Sequence, residues 1–289
     1  MNFGVILPNY GPGMGRLPVL DTAHAAESLG FDSVWTTDHL AISEHESGVY
    51  SPLLEALTTL SYLAGSTGSV RLGISALVLP QRNPLEVARE IATLDVLSGG
   101  RVQLAVGIGW SQSEYANLGY AFKNRGARMD EAVQVLRTAW RGSRVISYSG
   151  KHYRFENADF APSPIQTGGP PLWVAGNSPR ALRRAAILAD GWHPVNLPPA
   201  EIERMLRVVR PLLGTRPFTV APRLTLSFET GQDPAPALSG DPATIAAALQ
   251  AYAQSGAAYA VLHFTGETQA SRERAMRRFA REIMPALKG

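Results

Sequence analysis

The residues able to do chemistry collect just beyond short β-branched runs. Thr36–Thr37–Asp38–His39 follows one such run, Ser33–Trp35. An imidazole exchanges a proton near neutral pH, and a neighbouring carboxylate can raise its pKa or hold one tautomer. Asp38 accepting backbone N–H groups in a capped loop is the competing reading. Ala175–Gly176–Asn177–Ser178–Pro179–Arg180 sets Gly-Asn-Ser directly before a proline. Asparagine and serine suit an N-cap, and proline suits the first helical position. The free N–H groups and the helix dipole there suit an anion such as a phosphate. An ordinary capped helix uses the same residues. Gly73–Leu77 contains the small pair Ser75–Ala76, which lets a flat ligand approach the backbone. Gly107 and Gly109 allow a similar close approach after another run.

Placing these segments together requires a repeated scaffold. Strand-like runs occur at Asn2–Leu7, Ser33–Trp35, Arg71–Leu77, Val102–Ile108, Leu172–Ala175, Gly191–Pro194, Phe218–Phe228 and Tyr259–His263. Amphipathic helical segments return from each: Arg16–Leu29, Leu53–Ala64, Pro84–Leu97, Arg128–Trp140, Pro179–Ala189, Pro199–Leu213, Pro242–Ser255 and Ser271–Leu287. Strands alternating with helices pair in parallel through right-handed crossovers. Eight such units within 289 residues predict one (β/α)8 barrel spanning the whole chain. Its active site belongs at the C-terminal ends of the strands, where all four segments lie. The stretch Val145–Pro171 is read as an insertion after the fourth unit, with Tyr148 and Tyr153 flanking a Ser149–Gly150 turn. No G-x-G-x-x-G follows the first strand; Pro8–Gly15 is a Pro/Gly-rich loop, which argues against a dinucleotide fold.

Composition removes other classes. Hydrophobic residues are 45% and charged residues 18%, too apolar a balance for a disordered chain. The chain has no cysteine, so disulfides and thiolate metal sites are unavailable. No HxxxH or clustered carboxylate spacing points to a metal. Met1–Pro8 runs straight into strand-like sequence without a basic region followed by an apolar one, and no apolar run approaches the ~20 residues of a membrane helix. A cytoplasmic protein without membrane contact is expected. The formal charge is +3 and arginine greatly outnumbers lysine. The basic residues are scattered rather than interleaved with aromatics, which argues against nucleic acid and leaves base composition or an anionic ligand as explanations.

In combination these segments resemble the luciferase-like family, and within it the branch of deazaflavin (coenzyme F420)-dependent oxidoreductases. The likeness is densest in Leu29–Leu40 (LGFDSVWTTDHL), Arg71–Trp110 and Pro170–Pro194 (PPLWVAGNSPRALRRAAILADGWHP). Arg82–Pro84, Ala92–Arg101 (ATLDVLSGGR) and Gly107–Trp110 follow in fixed order. The resemblance implies that Asp38 and His39 sit near the reactive ring, His39 as proton donor or hydrogen-bonding partner. It implies a non-prolyl cis peptide at Ser75–Ala76 against the back of the ring. It implies Gly107 and Gly109 beside the cofactor chain, Gly176, Asn177 and Ser178 around its phosphate, and Gly191–Trp192 closing the pocket. Homodimers formed through helices beside the early strands are also implied. One departure concerns substrate. Sugar-phosphate dehydrogenases of the family carry glutamate directly after the Gly-x-Gly, where this chain has Trp110, an apolar wall. Glu114 either reaches inward in its place or decorates the next helix.

The leading expectation is hydride transfer between coenzyme F420 and a small organic substrate, with the protein supplying orientation and electrostatics. An FMN-dependent monooxygenase using dioxygen and a partner flavin reductase is the alternative, and a non-catalytic flavin binder is a third. His24 and His152 read as structural. His193 and His263 end strands, and either line the mouth or are satisfied within the structure.

Overall fold

The computed structural model describes residues 1–231, 236–266 and 268–288. In chain order the first half holds β1 (Asn2–Ile6), α1 (Arg16–Ser28), β2 (Ser33–Thr36), α2 (Glu44–Ser47), α3 (Ala56–Ala64), β3 (Arg71–Val78), α4 (Pro84–Ser98) and β4 (Val102–Gly107). Next come α5 (Gln112–Asn117), α6 (Arg125–Trp140), the hairpin β5 (Val145–Ser149) and β6 (Arg154–Asp159), β7 (Leu172–Ala175), α7 (Pro179–Leu188) and β8 (Gly191–His193). The chain continues through α8 (Pro199–Leu213), β9 (Thr219–Val220), β10 (Arg223–Ser227), β11 (Leu238–Ser239) and α9 (Pro242–Gln254). It finishes with β12 (Tyr259–Phe264), α10 (Gln269–Glu282) and α11 (Met284–Leu287).

One parallel sheet runs β11-β10-β12-β1-β2-β3-β4-β7-β8-β9. Its ends meet where the Arg223 N–H donates to Pro194 O (2.8 Å) and the Asn196 N–H to Arg223 O (2.8 Å). The sheet is thereby a (β/α)8 barrel, as expected. The seventh strand is broken: β9 pairs with β8, and β10 pairs with β12. Pro222 sits at the break, where the missing N–H interrupts a ladder. Two apolar cores result. Leu, Val and Ala from the outward faces of the strands pack against the helices. Inside the barrel, Ile6, Trp35, Ala105, Trp173, Ala221, Tyr259 and Val261 form a second cluster. Room for Trp35 comes from Gly73, where a Cβ would fall 2.3 Å from the indole.

Helix starts follow side-chain capping. Asn83, Ser178 and Asp241 each accept a first-turn N–H just ahead of Pro84, Pro179 and Pro242. The expected helix Leu53–Ala64 begins only at Ala56, because the Glu55 carboxylate accepts the Thr58 N–H (2.7 Å) and acts as its N-cap. The expected Ser271–Leu287 segment is two helices, interrupted between Glu282 and Met284. The insertion hairpin pairs Tyr148 with Phe155 and Ser149 with Arg154, so its turn covers Gly150–Tyr153 rather than two residues. Glu131 on α6 accepts the N–H groups of Lys151, His152 and Tyr153 and docks that turn. Sequence periodicity gave no sign of the short helix α5. Among the described residues no helix is long and apolar enough to cross a membrane.

Candidate active site

A cavity of about 490 Å³ opens at the C-terminal ends of the strands. His39 enters it from the loop after β2 and is only 7% exposed. Its Nδ1 lies 2.9 Å from Glu114 Oε2. Glu114 is fully buried on α5, and its other oxygen accepts the N–H groups of Leu40 (2.6 Å) and Ala41 (3.2 Å). Gln81 Nε2 donates to Oε2 at 3.2 Å. Burial pushes this carboxyl up, but the bonds from His39, Leu40 and Gln81 outweigh it and bring its pKa down to about 2. An ionised carboxylate only accepts, so Nδ1 carries the hydrogen of that bond. Nε2 is then the ring atom left for the cavity. Glu114 thus sits in the first turn of α5 and turns inward to His39 without lining the cavity.

Asp38 does something else. Its Oδ2 accepts the Val78 N–H (2.8 Å), and its Oδ1 pairs with Arg82 (2.8 Å), which also reaches Glu55 at 3.2 Å. Burial pushes the Asp38 carboxyl up, and the Arg82 guanidinium opposes it. Asp38 thus ties the β2 loop to the end of β3, and the carboxylate bonded to the imidazole is Glu114.

The Ser75–Ala76 peptide is cis and lines the cavity. Ser75 Oγ is 2.7 Å from His193 Nε2, while His193 Nδ1 is 2.5 Å from Ala221 O. Burial brings the His193 pKa down to about 3. The neutral ring donates from Nδ1 to the carbonyl and accepts the Ser75 hydroxyl at Nε2. It also stacks on Trp35, which joins this wall to the barrel interior. His193 is therefore satisfied within the structure and also lines the cavity, as does His263.

Ala76, Gly107, Ala175 and Gly176, small residues at the ends of β3, β4 and β7, line the cavity together. A Cβ on Gly107 would stand 3.7 Å from Ala76 Cβ and 3.8 Å from Ala175 Cβ, which places the three positions side by side. Gly109 has φ +67°, and a Cβ there would strike Val78 at 2.6 Å. Beyond Gly176, Asn177 bonds both backbone groups of Val195 (2.7 and 2.8 Å), and Ser178 caps α7 by accepting the Ala181 N–H (3.1 Å). Both residues are exposed at the rim beside the helix N-terminus, outside the cavity lining. Gly191 and Trp192 do not face the cavity. Gly191 packs against β9, and the buried Trp192 donates to Gly176 O (2.7 Å), holding the loop from behind.

Tyr10, Tyr50 and Arg223 are among the lining residues that were not singled out from sequence. Tyr10 and Tyr50 form an aromatic side with His39 and Trp110; Tyr50 is centred 4.7 Å from His39, and Trp110 5.6 Å. Arg223 projects from β10 to Ser75 O (2.9 Å), Thr37 Oγ1 (3.3 Å) and Tyr10 OH (3.1 Å). Its signal was present: Arg223 and Thr225 alternate with Leu224 and Leu226, which places polar groups on the inward face of a strand end.

The chain as a whole has counterparts among known proteins. A family model described as luciferase-like monooxygenase matches residues 1–235. The chain belongs to that family. Within the luciferase-like family it is 31% identical over 237 residues to a phthiodiolone/phenolphthiodiolone dimycocerosates ketoreductase of Mycobacterium tuberculosis, covering 75% of this chain and 62% of that protein. The chain thus spans under two thirds of that relative's length. An F420-dependent glucose-6-phosphate dehydrogenase of Kineococcus radiotolerans is 28% identical over 320 positions, covering 93% of this chain and 92% of the relative. A solved F420-dependent secondary alcohol dehydrogenase, in complex with an F420-acetone adduct, superposes with a TM-score of 0.83 at 19% identity. That match covers 100% of this chain and 99% of the other and establishes a common fold.

Proposed function

We propose that the chain is an oxidoreductase transferring a hydride between coenzyme F420 and a small organic substrate. The observation that carries this reading is His39, oriented by the buried Glu114 carboxylate so that Nε2 addresses the cavity opposite a wall of small residues. When bound, coenzyme F420 supplies the hydride donor or acceptor. Ser75 and Ala76 support one face of its ring, and Gly107 and Gly109 leave room beside it. Gly176, Asn177 and Ser178 bring the N-terminus of α7 to its phosphate, where the helix has no acidic residue in its first turn. Asp38, Gly191 and Trp192 hold the loops that carry these groups. His39 Nε2 gives or takes the proton at the substrate atom whose oxidation state changes. Tyr10, Tyr50 and Trp110 exclude water from that atom.

The second reading is an FMN-dependent monooxygenase using dioxygen with a partner flavin reductase. The family description favours it, and the same lining of small residues suits either ring. Titration of the purified protein with each cofactor, followed by absorbance and fluorescence, separates the two. The first reading expects tighter binding of F420, and micromolar FMN binding without F420 binding overturns it. The proposal includes a cytoplasmic homodimer. A chain without cysteine needs no oxidising compartment, and Tyr62 on α3 with Val96 and Leu97 on α4 offers exposed apolar surface.

A further inference from the structure

Arg223 is bonded differently from Arg101, the arginine at the other end of the barrel strands. Arg101, at the opposite end of the strands, has all its N–H donors engaged: Ser98 O, Val70 O, Ala64 O, Thr67 O and Thr67 Oγ1 accept them at 2.6–3.0 Å. Arg223 donates only to Ser75 O, Thr37 Oγ1 and Tyr10 OH, all neutral acceptors. A guanidinium has five N–H groups. Its Nε–H and one Nη2–H, on adjacent nitrogens, therefore have no protein acceptor among the described residues. Arg223 also forms no ion pair among them. Among the described lining residues it is the one Lys or Arg side chain. The carboxylate that shares the lining, Asp38, is already paired with Arg82.

A half-buried cation facing neutral groups is partly desolvated and has no counter-charge among the described residues, which a bound anion would supply. Adjacent N–H groups on a planar guanidinium match the two oxygens of a carboxylate. One cation balances one negative charge. The aromatic side leads up to this point: Tyr10 is 5.5 Å from Tyr50, and Tyr50 is 6.2 Å from Trp110 (ring centroids), while the Tyr10 hydroxyl touches the guanidinium. An apolar body lying on the three rings would carry its charged end toward Arg223.

We propose that Arg223 is the recognition group for a substrate carboxylate, and that the substrate is an organic monoanion whose apolar body lies against Tyr10, Tyr50 and Trp110. This rests on the hydride-transfer reading only in taking the cavity to hold cofactor and substrate together. The test uses protein saturated with whichever cofactor binds. Benzoate is compared with benzamide, and hexanoate with hexanamide, each pair alike in shape and different in charge. Calorimetry should show the acid bound about tenfold or more tightly than its amide in at least one pair. Arg223→Gln should bring that ratio close to one, and Arg223→Lys should keep part of it, with melting curves showing both variants folded. No preference for the acid in either pair overturns the proposal, as does a preference that survives Arg223→Gln. Loss of cofactor affinity in Arg223→Gln with the preference intact assigns the charge to the cofactor ring and equally overturns it. Failure of both cofactors to bind counts against the hydride-transfer reading, while the acid-to-amide ratio, measured on the protein alone, still decides the role of Arg223.

Discussion

His39 shows how far single residues were legible. Its position after the second strand marked it, and the structure turns it toward the cavity. Its partner was obscure, because the bond to Glu114 spans 75 positions and depends on a short helix with no periodic signature. Asp38, adjacent in sequence, was the natural candidate, yet its carboxylate faces Val78 and Arg82. Two substitutions separate these roles. His39→Ala should leave cofactor affinity within a few-fold while turnover falls by roughly 10²–10⁴. Glu114→Gln can donate as well as accept, so it releases the tautomer that the carboxylate imposes. Turnover should fall and the pH–rate profile should shift, with cofactor affinity and melting temperature little changed. A variant that melts early but turns over normally per folded molecule would make Glu114 structural. Acid stability tests the buried rings. Burial depresses the His193 pKa to about 3, and burial together with the charges of Arg223 and Arg272 depresses that of His263 to about 3. The unfolded chain binds these protons first, so their stabilising contribution is complete above pH 6.5 and is lost as pH falls toward 3. Each should contribute a slope of up to about 1.4 kcal/mol per pH unit across that window. Glu114 adds a further loss between pH 4.5 and 2. Urea titrations of wild type and His193→Gln at pH 7, 6 and 5 check this, and equal slopes would remove His193 from the account.

At the scale of elements, alternation and capping carried most of the reading. Cap-then-proline pairs at Asn83–Pro84, Ser178–Pro179 and Asp241–Pro242 mark helix starts whose side chains do accept the expected N–H groups. Illegible features were those decided by partners remote in sequence. The break at Pro222 reflects which neighbour each half of the strand finds, and Trp192 faces away from the cavity because its indole reaches Gly176 O. Barrel architecture assigns chemistry to one end of the strands and stability to the other. Arg101 lies at the second end, joining the C-terminal turns of α3 and α4 to the start of β3. Arg101→Ala leaves several buried carbonyls without donors and should cost about 2–4 kcal/mol in urea unfolding. Cofactor affinity and turnover per folded molecule should stay near wild type. A loss of affinity without loss of stability would contradict the division.

For the whole molecule, eight alternating units were enough to indicate a closed barrel, while the double core was not visible in sequence. Trp35, Trp173 and Tyr259 read as ordinary strand residues, yet they fill the interior and support His193 from below. The cavity thus rests on a packed aromatic floor, with the loop after β2 supplying His39, and β3 and β10 supplying the Ser75–Ala76 peptide and Arg223 above it. The most direct test mixes the enzyme with reduced coenzyme F420 and candidate carbonyl compounds under strict exclusion of oxygen, following the absorbance of oxidised F420. Hydride transfer assisted by His39 should give enzyme- and substrate-dependent reoxidation without oxygen, at a rate that falls by roughly 10²–10⁴ in His39→Ala. Turnover seen only with reduced FMN and dioxygen, and none with F420, would contradict it.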